Sequence, residues 1–108
     1  MKWYKNLYLG EGIAPNARQI INRIKKNKPT FDVYVITLGL SVDKQLEIVP
    51  SFELLQKGYP TKELRVIGLA QGKKEALELV TSIVDEVYQK TGDVNILEYL
   101  KSEWREQK

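Results

Sequence analysis

Three short turns in this sequence carry the residue types that bind anions. They are Gly10-Glu11-Gly12, Thr37 to Ser41, and Ala70 to Lys74. Glycine lets backbone N–H groups approach a ligand closely, and in the third turn the charge of Lys73 stands where a helix is expected to begin. Such turns suit a phosphate or a carboxylate. The candidate ligand-binding residues are Gly10, Gly12, Gly39, Ser41, Gln71, Gly72 and Lys73.

The same glycines also have a purely structural interpretation. Gly72 is the kind of residue that a strand-to-helix turn requires, and lysines are ordinary on a protein surface. No GxxxxGK[ST] motif is present, and the GxG at residues 10–12 lacks the third glycine of a dinucleotide fingerprint because Pro15 occupies its place. The turns therefore leave the binding of an anion or a nucleotide open, without the motif of a P-loop or of a dinucleotide fold.

The composition excludes several classes of enzyme. The chain of 108 residues has neither cysteine nor histidine, so thiol nucleophiles, Cys/His zinc sites and histidine acid–base catalysis are ruled out. Glu11 and Asp43 lie on different predicted loops, and nothing in the sequence brings these two carboxylates together. Asp85 and Glu86 are interpreted as a solvated pair on a helix. We therefore predict no catalytic residue, no metal site and no cofactor.

Hydrophobic patterning predicts the elements that must position the turns. Residues 3–9 alternate in the manner of an edge strand, whereas the apolar runs at 31–38 and 64–70 are typical of strands buried on both faces. Residues 42–50 allow either an extended segment or a helical turn. Apolar residues at helical spacing predict helices at 14–27, 51–58, 73–90 and 94–106, and Gly92 is placed to cap the C-terminus of the third.

The order of these elements predicts the fold. Alternating strands and helices favour a single α/β domain over residues 1–108, with two or three layers and a Rossmann-like sheet of about three parallel strands. Parallel strands end at the same edge of a sheet, and open α/β sheets bind ligands there. Since each of the three turns follows one strand, we expect all three to meet in one site.

Five segments carry a resemblance that covers nearly the whole chain. They are LYLGE (residues 7–11), VYVITL (33–38), QLEIVPS (45–51), VIGLAQGKKEALELV (66–80) and EVYQKTGDVNI (86–96). On these segments the sequence resembles a group of short proteins from anaerobic Gram-positive bacteria that has no established function. The resemblance implies a stand-alone cytoplasmic protein of one small domain, and it implies no activity, cofactor or site residue.

The positive charge of the chain is concentrated at its beginning. The net charge is +3, yet the first 28 residues hold seven Lys or Arg and a single acid. This basic stretch can seek phosphates, or the cations at residues 23–28 can complement the dipole at the end of a helix. The N-terminal aromatic residues share the face that a strand buries, and the last helices carry surplus acid. We therefore do not expect nucleic acid as a partner.

The apolar runs of the chain are short. None exceeds about five residues, whereas roughly 20 are needed to cross a bilayer. We expect a cytoplasmic protein with no membrane association.

The C-terminal helix offers large apolar side chains to a second protein. The candidate interface residues are Leu97, Tyr99, Leu100 and Trp104. Trp and Tyr are favoured interface anchors, and two-fold homodimers are common assemblies. The alternative is that this helix folds back onto its own sheet.

The function predicted from these observations is that of a non-catalytic binding or protein-interaction module that forms a homodimer. The alternative is a binder of a small phosphorylated or carboxylated, nucleotide-like ligand at the carboxyl edge of the sheet.

Overall fold

The computed structural model describes residues 1–41, 44–93 and 95–106 of the chain. These residues form four strands and three α-helices, together with two short 3-10 helices. In chain order the elements are β1 (Lys2–Leu9), a 3-10 helix (Ala14–Asn16), α1 (Ala17–Lys25), β2 (Val33–Ser41), β3 (Lys44–Pro50), a second 3-10 helix (Ser51–Leu55), β4 (Arg65–Gln71), α2 (Gly72–Thr91) and α3 (Ile96–Glu106).

The four strands form one mixed sheet in the order β1-β4-β2-β3. β1 and β4 are parallel, whereas β2 is antiparallel to both of its neighbours, β4 and β3. The α/β class is confirmed, but the predicted parallel, Rossmann-like sheet is wrong. Side chains on both faces of β2 are buried, and an unbroken apolar run indicates that burial without indicating the direction of the strand.

The stretch that allowed two interpretations is extended where the structure describes it. β3 pairs with β2 from Leu46, opposite Leu38, to Pro50, opposite Tyr34. The strand forms one edge of the sheet, and its Glu47 is exposed. Residues 42 and 43, the first two of the ambiguous 42–50 stretch, lie outside the described residues. Residue 43 is the Asp43 that was considered for catalysis.

The N-terminal half of the chain is less helical than predicted. The expected helix 14–27 is divided between the first 3-10 helix and α1, and α1 ends early because Asn27 adopts a left-handed conformation with φ 56°. The expected helix 51–58 is only a 3-10 helix, Ser51–Leu55. α1 is consequently a short cover for its side of the sheet.

The C-terminal helices follow the periodicity closely. α2 extends one residue beyond each end of the predicted 73–90, and Gly92 closes it in the predicted left-handed cap, donating its N–H to the Tyr88 carbonyl oxygen at 2.7 Å. α3 begins at Ile96, and residue 94, the predicted first residue of that helix, lies outside the described residues. None of the helices in the described part of the chain is long and apolar enough to cross a membrane.

The sheet separates two hydrophobic clusters, which gives the domain three layers. On the first face, which we call the α1 face, Ile24 of α1 packs with Val35 and Val66 of the sheet. On the second, the α2/α3 face, Ile83 of α2 and Leu100 of α3 pack with the strands. The two faces therefore differ in the helices that cover them.

The alternation predicted in β1 is confirmed. Trp3, Leu7 and Leu9 contact the cluster of the α1 face, and Tyr4 and Tyr8 contact that of the α2/α3 face. The pairing of β1 with β4 is irregular between Trp3 and Tyr8, as expected of an edge strand.

Candidate functional site

The parallel strands β1 and β4 bring two of the predicted turns together. Gly12 lies beside Gln71, which precedes α2, and the side chain of Glu75 in α2 lies against both Gly12 and Gly10. One oxygen of the Glu75 carboxylate accepts the Gly12 N–H at 2.8 Å, and the other accepts the Gln71 N–H at 2.5 Å. The position predicted for an anionic ligand is thus held by a carboxylate of the chain itself.

The glycines of this turn make room for that carboxylate. A Cβ at Gly10 would overlap the Glu75 carboxylate, and a Cβ at Gly12 would lie 2.7 Å from the Cβ of Gln71. A neighbouring cavity of about 330 Å³ adds Glu11 and Glu78 to its lining, so the surroundings repel a further anion. No cluster of metal-ligating side chains occurs within the residues described.

Gly72 and Lys73 complete this end of the sheet. Gly72 has φ 79° and donates its N–H to the Asp32 carbonyl oxygen at 2.7 Å, so its conformation serves the turn. A Cβ at Gly72 would lie 3.2 Å from a carboxylate oxygen of Asp32, a second acid near the start of α2. Lys73 is exposed to solvent. The structural interpretation of this turn is the one that the geometry favours.

Gly39 and Ser41 do not join the other candidate ligand residues. Because β2 is antiparallel to β4, the first residue of β2, Val33, lies opposite Gln71, and the chain then runs away from that end of the sheet. Gly39 is buried within β2, and Ser41 ends the strand. The expectation that three turns meet at one edge is therefore wrong.

The candidate interface residues of α3 pack on the sheet of their own protomer. Leu97 and Leu100 are buried in the cluster of the α2/α3 face. Trp104 stacks on Tyr4 with ring centroids 5.6 Å apart, and the Tyr99 hydroxyl donates to Glu103 at 2.8 Å. Of the two alternatives for this helix, the structure has the one in which it folds back.

The same face holds a hydrogen bond between β1 and α2. The Tyr8 hydroxyl donates to the Glu86 carboxylate at 2.5 Å. Burial raises the pKa of Tyr8, and the bond to Glu86 raises it further. Glu86 is therefore half-buried and engaged, whereas the sequence pattern suggested a solvated position.

Two exposed aromatic side chains line one cavity beside the start of β2. Phe31 is 89% exposed and Phe52 is 62% exposed, and a cavity of about 270 Å³ lies between them. A hydrogen bond of 2.7 Å between the hydroxyls of Thr30 and Ser51 joins the segments that carry the two rings. We call Phe31, Phe52 and the cavity between them the phenylalanine surface.

The turn at residues 31–32 fixes the position of Phe31. Asp32 has φ 53°, a conformation that non-glycine residues rarely adopt. The Gln71 side-chain amide donates to the carbonyl oxygens of Phe31 at 2.9 Å and of Asp32 at 3.1 Å. A costly backbone conformation held by several hydrogen bonds is a common feature of binding sites.

A larger concavity lies on the other side of Phe31. We call it the arginine recess; its volume is about 750 Å³, and its lining residues are Asn16, Gln19, Ile20, Arg23, Pro29, Thr30, Phe31, Val33 and Gln71. The four residues contributed by α1 and the residue before it have the spacing i, i+3, i+4 and i+7, which places them on one side of the helix. A cleft of this size with an apolar lining and a few polar groups is typical of ligand sites.

Arg23 is held in place without being neutralised. Its Nε–H donates to the Pro29 carbonyl oxygen at 2.9 Å, which orients the guanidinium group. Among the residues described, no carboxylate oxygen lies within 4.0 Å of the Arg23 guanidinium nitrogens. The terminal nitrogens of Arg23 therefore remain available for an acceptor.

No family model, no curated protein and no solved structure matches this chain. The function of this chain is therefore inferred from its own structure, and the resemblance to proteins of anaerobic bacteria stays an expectation.

Sequence patterning missed both the phenylalanine surface and the arginine recess. A strand over 31–38 buries Phe31, but β2 begins at Val33 and leaves that ring outside. Pro29 and Asp32 are turn-forming residues, and they are the signal that marks Phe31 as part of a loop. Arg23 was interpreted only as one cation of the basic stretch, which either seeks phosphates or complements the helix dipole.

Proposed function

We propose that this protein is a non-catalytic binding module that recognises a protein partner through the phenylalanine surface. The observation that carries the proposal is the pair of exposed rings, Phe31 and Phe52, on either side of a cavity. Isolated apolar side chains are ordinary on a surface, but clustered aromatic side chains beside a concavity are typical of interaction sites. Fully covering one such ring contributes roughly 1.5–3 kcal/mol.

The positions of these rings support binding as their role, since they contribute little to the fold. A side chain as exposed as Phe31 buries little apolar area in the monomer. In the Phe31→Ala, Phe52→Ala variant, each substitution is therefore expected to change the free energy of unfolding by no more than about 0.5 kcal/mol. Binding and stability are therefore separable by mutation at this surface.

The experiment compares two double variants in affinity purification from the cells that make the protein. Phe31→Ala with Phe52→Ala removes the phenylalanine surface, and Leu77→Ala with Tyr88→Ala removes exposed apolar side chains of α2 as a matched control. A protein retained by the wild type and by the control, and lost from the first variant, is the expected result. Equal retention by all three, or equal loss from both variants, contradicts the proposal.

Self-association and a cytoplasmic location remain part of the proposal. A homodimer that uses the side chains of Leu97 and Leu100 would require α3 to leave the sheet, whereas Tyr99 and Trp104 are only partly buried. Light scattering after gel filtration measures the mass, and the phenylalanine variant tests whether that surface holds two copies together.

A small anionic ligand at the start of α2 is not favoured. The Gly12 and Gln71 N–H groups already donate to Glu75, and Asp32 lies beside Gly72. Phosphate or acetate is therefore expected to leave the melting temperature of the wild type unchanged beyond the effect of ionic strength.

A further inference from the structure

We infer that the arginine recess binds a carboxylate of the partner, so that the segment recognised is an acidic peptide with a large apolar side chain close to its acid. The inference rests on the proposed function and adds the chemistry of the partner to it. Three observations carry it: the orientation of Arg23, the charge around the recess, and the contrast between the recess and the neighbouring cavity.

The guanidinium group of Arg23 is arranged as a carboxylate receptor. Its Nε–H bond to Pro29 restrains the orientation of the group and leaves the two terminal nitrogens for other acceptors. A planar guanidinium binds carboxylates through two parallel hydrogen bonds, and fixing it beforehand lowers the entropy lost on binding. The side-chain amides of Asn16 and Gln19 line the same recess and offer further donors.

The charge of the surroundings favours an acidic partner. Arg23 is the one charged residue among the described lining of the recess. The exposed cations Arg18, Lys26 and Lys28 lie on or just after α1, and the first 28 residues of the sequence hold seven basic residues and one acid. A positive surface of this kind raises the rate of association with a negative segment and disfavours a positive one.

The cavity on the other side of Phe31 has the opposite character. Phe31, Tyr34, Pro50 and Phe52 give it an apolar lining, and its charged residue is Asp32. A carboxylate is repelled there, whereas a large apolar side chain is accepted between the two phenylalanine rings. The two cavities share Phe31, so one short segment that crosses this ring reaches both.

The same contrast favours a peptide over a nucleic acid. An extended single strand carries a phosphate at every nucleotide, and phosphates beyond the recess would approach Asp32, and Glu53 beside Phe52. A peptide segment needs only one carboxylate, placed at Arg23.

The test begins with an unbiased selection of ligands. Random short peptides displayed on phage are panned at low salt against the purified full-length protein, and the enriched peptides are sequenced and synthesised with a fluorescent label. We expect the enriched peptides to share an Asp or Glu within a few positions of an aromatic or large aliphatic residue.

Affinity is then measured with matched variants. Arg23→Gln is expected to weaken the best peptide about tenfold or more, and Arg18→Gln, the same charge change on the same helix outside the recess, to change affinity less than about twofold. Replacing the acid of the peptide by its amide should cost the wild type as much as Arg23→Gln does. Arg23→Gln should weaken the binding of the amide peptide only slightly, since the amide substitution and Arg23→Gln both remove the same contact between Arg23 and the peptide carboxylate. Arg23→Lys keeps the charge but loses the two parallel N–H donors of the guanidinium group, so an intermediate affinity is expected.

The other outcomes separate this inference from the proposed function. Enriched peptides without acids that bind through Phe31 and ignore Arg23→Gln overturn the inference and leave the phenylalanine surface as a docking site. Equal losses for Arg18→Gln and Arg23→Gln also overturn it, because general charge then explains binding. A poly(dT) oligonucleotide that binds as tightly as the peptide and is lost with Phe31→Ala overturns it in favour of nucleic acid. Failure to enrich any peptide, or peptides indifferent to Phe31→Ala, overturns both proposals.

Discussion

The α2/α3 face of the sheet is covered by helices of 20 and 11 residues, whereas the α1 face has one helix of nine residues. On this face the ring of Tyr4 in β1 stacks on that of Tyr8 and on that of Trp104 in α3. Beside the shorter helix, a recess of about 750 Å³ opens and Phe31 stands in solvent. The side that is less well covered is therefore the side with room for a partner.

The polar groups of the two regions differ in whether the chain itself supplies a partner for their charge. Glu75 and Glu86 each accept a hydrogen bond from another segment of the chain, although the sequence pattern suggested a solvated Glu86. Arg23 is also held by the chain, yet its carbonyl partner leaves the positive charge unpaired. A glycine-rich turn at a helix start is thus no sign of a ligand when the chain supplies its own anion.

The largest expected effect comes from removing a core side chain of the α2/α3 face. Leu100 is 1% exposed, so Leu100→Ala should lower the free energy of unfolding by about 2–5 kcal/mol. Urea denaturation measures the change, and Leu77→Ala on the exposed side of α2 should cost less than about 0.5 kcal/mol. A normal stability for Leu100→Ala combined with a reduced mass in solution would assign this residue to an interface and break the comparison.

The Glu75 carboxylate is expected to stabilise the turn that resembles an anion site. Glu75→Ala leaves the Gly12 and Gln71 N–H groups without their acceptor and should cost about 1–3 kcal/mol. Gly10→Ala displaces the same carboxylate, so the double variant should be little worse than the poorer single variant. Fully additive losses in thermal or urea unfolding would show that the two positions act separately.

The Glu75→Ala variant, which leaves the Gly12 and Gln71 N–H groups without the carboxylate, allows a second measurement. Acetate should raise the melting temperature of the Glu75→Ala variant and leave the wild type unchanged, because only the variant has the two N–H groups free. Equal stabilisation of both proteins would mean that the turn holds a ligand site after all.

Tyr8 gives the α2/α3 face a dependence on alkaline pH. Its pKa is raised in the folded state, so its stabilising contribution is complete below the ordinary tyrosine pKa of about 10 and declines as the pH rises above that value. Tyr8→Phe removes the bond to Glu86, should cost about 1–2 kcal/mol at neutral pH and should make unfolding less sensitive to pH above about 10. Identical alkaline profiles for the two proteins would contradict this role of Tyr8.

A smaller effect, of opposite sign, is expected inside the sheet. Thr37 is fully buried in β2, and its hydroxyl has no hydrogen-bond partner among the described residues. Thr37→Val keeps the shape and removes the unpaired group, so it should stabilise the fold by about 1 kcal/mol. Thr37→Ser keeps the hydroxyl and loses a methyl group, and it should be destabilising. A less stable valine variant would mean that the hydroxyl is bonded in solution.

Local patterns predicted the helices better than the sheet. The spacing of apolar residues located α2, and Gly92 marked its end, since both signals lie within the helix or directly after it. The direction of β2 depends on which strands it pairs with, and its apolar run is equally compatible with either direction. β3 is a short edge strand, whose mixed pattern from Leu46 to Val49 suited a helical turn as well.

The candidate site was hidden for a different reason. The partner of Glu75 at Gly12 is 63 residues away in the chain, so no local pattern reveals that the turn is already occupied. The exposure of Phe31 depends on bonds from Gln71 to residues 31 and 32, also distant in sequence. Long-range hydrogen bonds thus decided both which predicted site is closed and which unpredicted site is open.

The most direct test of the phenylalanine surface and arginine recess is an NMR titration of the labelled wild-type protein with the best peptide from the panning. The amide signals expected to shift most belong to residues 16–23, 30–33, 51 and 52, with little change at 10–12 and 73–75. Shifts centred on 10–12 and 73–75, or on α3, would contradict the account, because they would place binding on the part of the molecule that the structure describes as closed.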